Sequence, residues 1–358
     1  MIDLSLLPDG GVAWLDASGP NPHIVLSTRI RLARNVVGHP FSLRASDSDR
    51  AAVLARVSDA AAECSELRGA QLLRLDEMPR LDRQLLHERH LVSKELAALD
   101  REPPEARKAS AVLIDSPAGV MVNEEDHLRL QAMVSGFALE DAYTALESVD
   151  TELGQLLPFA FHPEFGYLTS CPTNAGTGLR ASVLIHLPGL VLTKEIGKVL
   201  QGLTQVGLTF RGLYGEGSEV VGNFFQLSNQ TTLGKAEGEL LDHLGRIVRQ
   251  VIEYEEQARD VLLKTAAGTV DDKVWRAYGL LRYARSLSFE ETMNLLSGVR
   301  LGVGLNLITG LSVYTLNKLL IHTQPAHLAA MEGRSLSDSE ERATRASCVR
   351  RLLGAETT

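Results

Sequence analysis

Apolar and polar positions alternate through Ile24-Val25-Leu26-Ser27-Thr28-Arg29-Ile30-Arg31-Leu32, the period of a strand with one buried face. Ile24, Leu26, Ile30 and Leu32 fall on one side, and Ser27, Arg29 and Arg31 on the other. Two guanidiniums therefore leave a rigid support in one direction. The stretch from Val120 to Val134 behaves likewise: Leu128, Leu130, Ala132 and Val134 make an apolar face, and Glu125 shares the opposite parity with Arg129. Before it, Ser116-Pro117-Ala118-Gly119 has the Pro and Gly spacing of a tight turn, so Val112 to Glu125 predicts a hairpin.

Strands are expected over about 24–37, 110–115, 119–135, 165–171, 180–187, 207–214 and 224–230, and helices over about 46–66, 137–154, 192–203 and 235–264. In the last of these, Leu240, Leu241, Leu244, Ile247, Val248, Val251 and Ile252 recur at three- and four-residue steps, an amphipathic helix. Hairpin signals outnumber crossover units, which predicts an α+β fold with a mostly antiparallel sheet flanked by helices. The pattern breaks around Ala266 to Asp272, and helices follow over about 272–286, 288–301, 312–322 and 337–353. Residues 1–268 and 269–358 are accordingly expected to form a large mixed domain and a small helical one.

Two further segments carry chemistry. Cys171-Pro172-Thr173-Asn174-Ala175-Gly176-Thr177-Gly178 is a polar, glycine-bearing loop that delivers Arg180 into an apolar strand, Leu179 to Val183. Arg211-Gly212-Leu213-Tyr214-Gly215-Glu216-Gly217 sets a carboxylate between two glycines, which predicts a loop able to close over a substrate. Taken singly, a strand arginine is usually a solvated surface group, and Cys171 is a small hydrophobe. The signal lies in their occurring together, in this order.

With 358 residues and 44% hydrophobic content the chain can bury a large core. A formal net charge of −9 argues against nucleic acid as main partner and favours basic proteins. The three cysteines, Cys64, Cys171 and Cys348, form no Cys-x-x-Cys pair, so neither a disulfide framework nor a zinc site is indicated. No apolar run reaches membrane-spanning length and Met1-Ile2-Asp3-Leu4 is no leader, so a cytoplasmic protein without membrane contact is expected. Neither the Gly-x-x-x-x-Gly-Lys-Ser/Thr loop nor the protein-kinase His-Arg-Asp and Asp-Phe-Gly signatures occur, so a nucleotide would have to be held by other means.

The sequence resembles the phosphagen (guanidino) kinase superfamily, most closely its bacterial protein-arginine kinase branch. The carriers are Ser-Thr-Arg-Ile-Arg at 27–31, Arg-His-Leu-Val-Ser at 89–93, Asn-Glu-Glu-Asp-His-Leu-Arg at 123–129, the segment from Cys171 to Ser182, and Arg-Gly-Leu-Tyr-Gly-Glu-Gly at 211–217. The likeness runs from about Ser27 to Ala346 and implies the superfamily's glutamine-synthetase-like catalytic fold. Relatives that phosphorylate free arginine or creatine carry a helical domain ahead of the Ser-Thr-Arg-x-Arg strand. Here only a short segment precedes Ser27, so the guanidine pocket is expected to be open enough for an arginine still in a polypeptide.

By that resemblance Arg29, Arg31, Arg129, Arg180 and Arg211 hold the phosphates of ATP. Ser27, Thr28, Ile30, His90, Ala181, Ser182, Val183, Leu184, Gly212, Leu213, Tyr214 and Gly215 lie about the nucleotide. Mg²⁺ is carried by ATP rather than by protein ligands. Arginine suits the task because its planar fork pairs bidentately with phosphate and stays charged. The acceptor guanidinium, with a pKa above about 12, is a poor nucleophile. Two carboxylates answer this by gripping it, aligning one nitrogen with the γ-phosphorus and accepting its proton. Glu125 and Glu216 match the family's pair, and Cys171 its auxiliary cysteine.

The family's closing Arg-Asp-x-x-Arg-Ala element, a phosphoarginine sensor, is matched only at Arg345 and Ala346, because Glu341 and Arg342 depart from it. The implied partners are protein substrates with accessible arginines, a heat-shock repressor, an AAA+ unfoldase–protease and a zinc-binding activator, with a homodimer as the implied assembly. Two rival readings are a kinase of free arginine or another small guanidine, and a phosphoarginine-binding adaptor without turnover. The paired glutamates speak against the adaptor.

Overall fold

The computed structural model describes residues 2–42, 44–100, 105–213 and 220–355. At its centre lies β1 (Val25–Arg34), flanked by β5 (Leu128–Ser135) and β8 (Leu179–His186). Around them β2 (Gln71–Arg74), β3 (Ala111–Ile114), β4 (Ala118–Val122), β9 (Leu208–Arg211) and β10 (Phe224–Asn229) complete an eight-stranded sheet in the order β2-β3-β4-β5-β1-β8-β10-β9. Every neighbouring pair is antiparallel. A separate small hairpin joins β6 (Phe161–His162) to β7 (Gly166–Tyr167).

Register decides what each face carries, because residues directly opposite across an antiparallel ladder point the same way. Arg31 lies opposite Gln131 and Arg180, and Arg29 opposite Met133 and Ser182. Gln226 lies opposite Leu184 and Arg211, and Arg129 opposite Ala33. The arginines thus share one face. On the other, Ile30, Leu32, Leu130, Ala132, Ala181, Val183 and Leu227 join the main core. Leu146 and Val149 of α3 (Leu139–Leu156) and Leu244 and Val248 of α6 (Glu237–Thr265) cover them. Each such side chain contributes about 1.5–3 kcal/mol by leaving water, so the sheet is held from the side away from the arginines.

The remaining helices are α1 (Asp47–Glu63), α2 (Arg80–Glu88), α4 (Pro188–Leu192) and α5 (Ile196–Gln205), and then α7 (Ala267–Tyr283), α8 (Phe289–Gly304), α9 (Val313–His322), α10 (Pro325–Glu332) and α11 (Asp338–Ala355). Of these, α7, α8, α9 and α11 build a second core from Val274, Leu281, Met293, Leu316, Leu319 and Val349, which also takes in Leu26, Leu184 and Phe224 of the sheet. Buried polar contacts fasten it. Glu88 accepts from the backbone N–H groups of Ala326 at 2.9 Å and His327 at 3.2 Å, capping the start of α10, and its carboxylate also meets His327 Nδ1 at 2.8 Å. Arg300 donates to Asn317 Oδ1 at 2.6 Å, and Asn317 to the Leu15 carbonyl at 2.8 Å.

Several elements depart from the pattern read along the chain. Leu26 does not share the face of Ile30: the register shifts between Val25 and Ser27, and this irregularity hands Leu26 to the second core. The strand expected over 119–135 is broken at 123–127, where Asn123 takes a left-handed φ of 60° and its amide donates to the carbonyls of Arg50 and Ala109. The turn before it lies one residue early, with the Asp115 N–H bonded to Ala118 O, so that Gly119 is a strand residue facing Ile114. The strand expected over 165–171 shortens to Gly166 and Tyr167, with one further backbone bond from Leu168 N to Ala160 O, because side chains take the groups that follow: Asn35 donates to Leu168 O, and Asp126 accepts from Ser170 N. Between α6 and α7 the expected break over 266–272 narrows to Ala266 alone. Among the described residues no helix is long and apolar enough to cross a membrane.

Candidate functional site

On the polar face of the sheet Arg29, Arg31, Arg129 and Arg180 lie within electrostatic reach of one another. Arg29 donates to Gln226 Oε1 at 3.1 Å and Arg180 to Ser228 Oγ at 3.3 Å, so β10 supplies neutral braces. Burial, reinforced by the charges of Arg180 and Arg129, pushes the Arg29 guanidinium down to about 10. Arg31 is driven well down by burial and by Arg29, Arg129 and Arg180, against a smaller opposing pull from Glu124. Positive charge is therefore concentrated on one face of the sheet, an arrangement that suits a polyanion.

Arg129 marks the border. Its Nη1 is 2.6 Å from Glu124 Oε1 and its Nη2 is 3.6 Å from Glu125 Oε2. Although burial opposes its charge, Glu124, Glu125 and Asp126 together hold its pKa above the ordinary value. Glu124 is buried and bound, whereas the Glu125 side chain is 37% exposed and free to meet a solute. Burial raises the pKa of Glu125, Asp126 and Glu124 add to the rise, and Arg129 and a hydrogen bond from Cys171 oppose it. A carboxyl so placed is a stronger proton acceptor than an ordinary glutamate.

Cys171 reaches Glu125 from a loop whose backbone is tightly fixed. Asp126 Oδ1 accepts from Ser170 N at 2.6 Å and from Asn35 Nδ2 at 2.7 Å, tying the residue after Glu125 to the residue before Cys171. Cys171 Sγ also lies 3.0 Å from Thr173 Oγ1. Gly176, at φ 109°, passes so near the next segment that a Cβ there would stand 2.4 Å from Thr232 O.

His90 sits beside Arg29 on this surface, with a left-handed φ of 60°. Its carbonyl accepts from Gln131 Nε2 at 2.7 Å, and its ring meets Trp14 edge-on with centroids 5.4 Å apart. Burial, then the charge of Arg29, depress its pKa strongly, so it is a neutral imidazole beside the cations. Ser27, Ser182 and Leu184 lie on or beside the polar face by register, and Arg211 closes β9 opposite Gln226. Ile30, Ala181 and Val183 turn their side chains into the main core, Thr28 bonds the Gly136 carbonyl, and Leu213 is buried in the second core beyond Gly212. Tyr214, Gly215 and Glu216 lie outside the described residues.

Arg345 and Ala346 belong to a different place. Arg345 is buried in α11 and donates to the carbonyls of Thr323 at 2.9 Å and Leu287 at 3.1 Å and to the Glu341 carboxylate, and Ala346 lies in the second core. Gln226, Ser228, Gln131, Asn35 and Trp14 were not singled out from the sequence as site residues. Gln226 and Ser228 had a readable signal, as alternate polar positions in the otherwise apolar run Phe224-Phe225-Gln226-Leu227-Ser228. Among the described residues no group of three or more His, Cys, Asp or Glu is placed to hold a metal ion.

Comparison with known proteins places this geometry. Residues 52–258 match the family described as ATP:guanido phosphotransferase, C-terminal catalytic domain, and residues 267–358 match the Protein-arginine kinase McsB C-terminal domain. A protein-arginine kinase of Symbiobacterium thermophilum is 47% identical over 350 residues, 96% of each chain. One of Pelotomaculum thermopropionicum is 44% identical over 341 residues, 94% of each. Among solved structures, the substrate-free duplicated taurocyamine kinase of Schistosoma mansoni superposes with a TM-score of 0.55 at 28% identity, over 72% of this chain and 34% of that longer one.

Proposed function

The chain belongs to the ATP:guanido phosphotransferase family, among its protein-arginine kinases, and from that premise we propose that it transfers the γ-phosphoryl group of ATP to arginine side chains of proteins. The observation that carries the reading is the border at Arg129, with a cluster of mutually repelling arginines on one side and the partly exposed Glu125 carboxylate, hydrogen-bonded by Cys171, on the other.

In this reading Arg29, Arg31, Arg129, Arg180 and Arg211 hold the phosphates, with His90 packed by the nucleotide. The arginine cluster fits a polyphosphate because an entering anion offsets the mutual repulsion by which these guanidiniums lower one another's pKa. Mg²⁺ bound to the nucleotide would supply neutralisation of phosphate charge, with the arginines holding the phosphates themselves. Glu125 and Glu216 grip the acceptor guanidinium and align one nitrogen with the γ-phosphorus. As the N–P bond forms and the bond to ADP breaks, Glu125 or Glu216 takes the proton released by that nitrogen. Cys171 adjusts Glu125 through its hydrogen bond. Residues 1–268 act as the catalytic domain and residues 269–358 as a helical regulatory or docking domain.

The setting we propose is cytoplasmic marking of proteins for degradation under stress, with a heat-shock repressor, an AAA+ unfoldase–protease and a zinc-binding activator as partners. The buried state of Arg345 and its bond to Glu341 support treating that position as a helix fastener, not a phosphoarginine sensor. The test of the activity is incubation with ATP, Mg²⁺ and mixed unfolded proteins, then mass spectrometry under non-acidic conditions. Phosphate on arginine supports the reading; phosphate only on free arginine, or none, contradicts it.

A further inference from the structure

Just ahead of the acceptor loop stands the β6–β7 hairpin, with Phe161 opposite Tyr167 and His162 opposite Gly166. Its base is rigid. The Tyr167 N–H donates to Gly176 O at 2.7 Å, and Gly166, at φ 69°, lies so close to Gly176 that a Cβ would stand 2.4 Å from the same oxygen. The Arg34 guanidinium stacks 3.5 Å from the centre of the Tyr167 ring and is itself held by Asp150 at 2.7 Å. Hairpin and acceptor loop therefore form one fixed unit, and Tyr167 precedes Cys171 by four residues.

The tip is unlike the base. Phe161 is 57% exposed and Phe165 is 46% exposed. Their rings are ordered against neighbours, Phe161 edge-on to Tyr167 at 5.3 Å and Phe165 stacked on His162 at 4.9 Å, without being buried by them. Glu164, exposed between them, adds a negative charge. Preordered aromatic rings at the surface provide contact area at low entropic cost, and an apolar patch beside an acidic group suits a partner that is both greasy and cationic. None of these residues is needed to grip a guanidinium.

We infer that the Phe161–Phe165 tip is the docking surface for the polypeptide on either side of the substrate arginine, and that it selects arginines flanked by apolar residues in an unfolded chain. This rests on the protein-arginine kinase reading. Phe165 precedes Cys171 by six residues, so the two lie within about 20 Å of each other, a reach that an extended substrate chain advancing about 3.3 Å per residue covers in roughly six residues. Glu164 repels acidic flanks and attracts basic ones. Folded proteins keep such apolar flanks inside, so the surface favours unfolded substrates.

The test uses the full chain, ATP, and synthetic peptides bearing one arginine flanked either by Leu and Phe or by Gly and Ser. Wild type is expected to prefer the apolar flanks through a lower KM. Phe161→Ala/Phe165→Ala is expected to raise the KM for the apolar-flanked peptide about tenfold, with kcat and the ATP KM within about twofold and the Gly/Ser peptide unaffected. Phe161→Tyr/Phe165→Tyr should restore the preference. Equal loss on both peptides, or no loss on either, overturns the docking surface. If wild type phosphorylates no peptide arginine, the kinase reading itself fails.

Discussion

Arg29, Arg31, Arg129 and Arg180 project from the interior of hydrogen-bonded strands, whereas Glu125 and Cys171 stand in the segments between strands. The strands fix guanidiniums against mutual repulsion by burying the opposite face in the main core. Such a surface is organised for charge before any ligand arrives, which is how electrostatic stabilisation becomes effective. The loops are fixed differently, by single polar contacts such as Asp126 with Ser170 and Asn35. Nucleotide phosphates are the same in every turnover, while acceptor arginines differ in their surroundings. A rigid strand half, and a loop half that leaves its carboxylate partly exposed, answer those two demands.

The strongest way to break this comparison is at the rigid half. Replacing Arg29, Arg129 or Arg180 by Lys keeps a charge but removes the bidentate fork, and each change is expected to lower phosphoryl transfer by about 10³-fold, nearly as far as Ala. Steady-state kinetics with a protein substrate checks this. Lysine variants with wild-type rates would show that charge alone suffices and that the strand geometry is irrelevant.

At the loop half a smaller effect is expected from changing the acceptor. With Glu125 partly exposed at the surface, an arginine in a flexible chain should exceed free arginine in kcat/KM by at least about tenfold, or roughly 1.4 kcal/mol of transition-state binding. A competition assay at matched concentrations reads phosphoarginine in protein against the free product. Preference for free arginine would remove the reason for an open acceptor side.

The smallest effect is on pH. Glu125 can grip a guanidinium or accept a proton only when ionised, and its raised pKa moves the acidic limb of kcat/KM upward from the ordinary glutamate position. Cys171→Ala removes a hydrogen bond that favours the carboxylate, so the limb should move to higher pH with the plateau nearly unchanged. A limb that stays in place or moves down detaches Cys171 from Glu125.

The same division explains what the sequence makes legible. Period-two alternation in β1 and β5 places Arg29, Arg31 and Arg129 correctly because strand parity needs no knowledge of distant residues. It fails at Leu26, where a register irregularity overrides parity, and between β4 and β5, where the Asn123 amide satisfies carbonyls from two remote segments. The union of Cys171 with Glu125 depends on Asn35 and Asp126, which are 91 residues apart in sequence. No local pattern marks such a pair. α10 escapes for a similar reason, since its first turn is capped by Glu88 of α2, 238 residues earlier. Glu216 rests on the family likeness and lies outside the described residues.

The most direct test of the division between halves is Glu125→Gln, with ATP affinity measured by calorimetry and transfer to a protein arginine by single-turnover kinetics on the same preparation. The predicted result is an ATP Kd within about twofold of wild type and transfer slower by about 10²-fold or more, because the lost carboxylate serves the acceptor alone. Near-normal transfer, or a loss of ATP affinity as large as the loss of rate, would contradict the account.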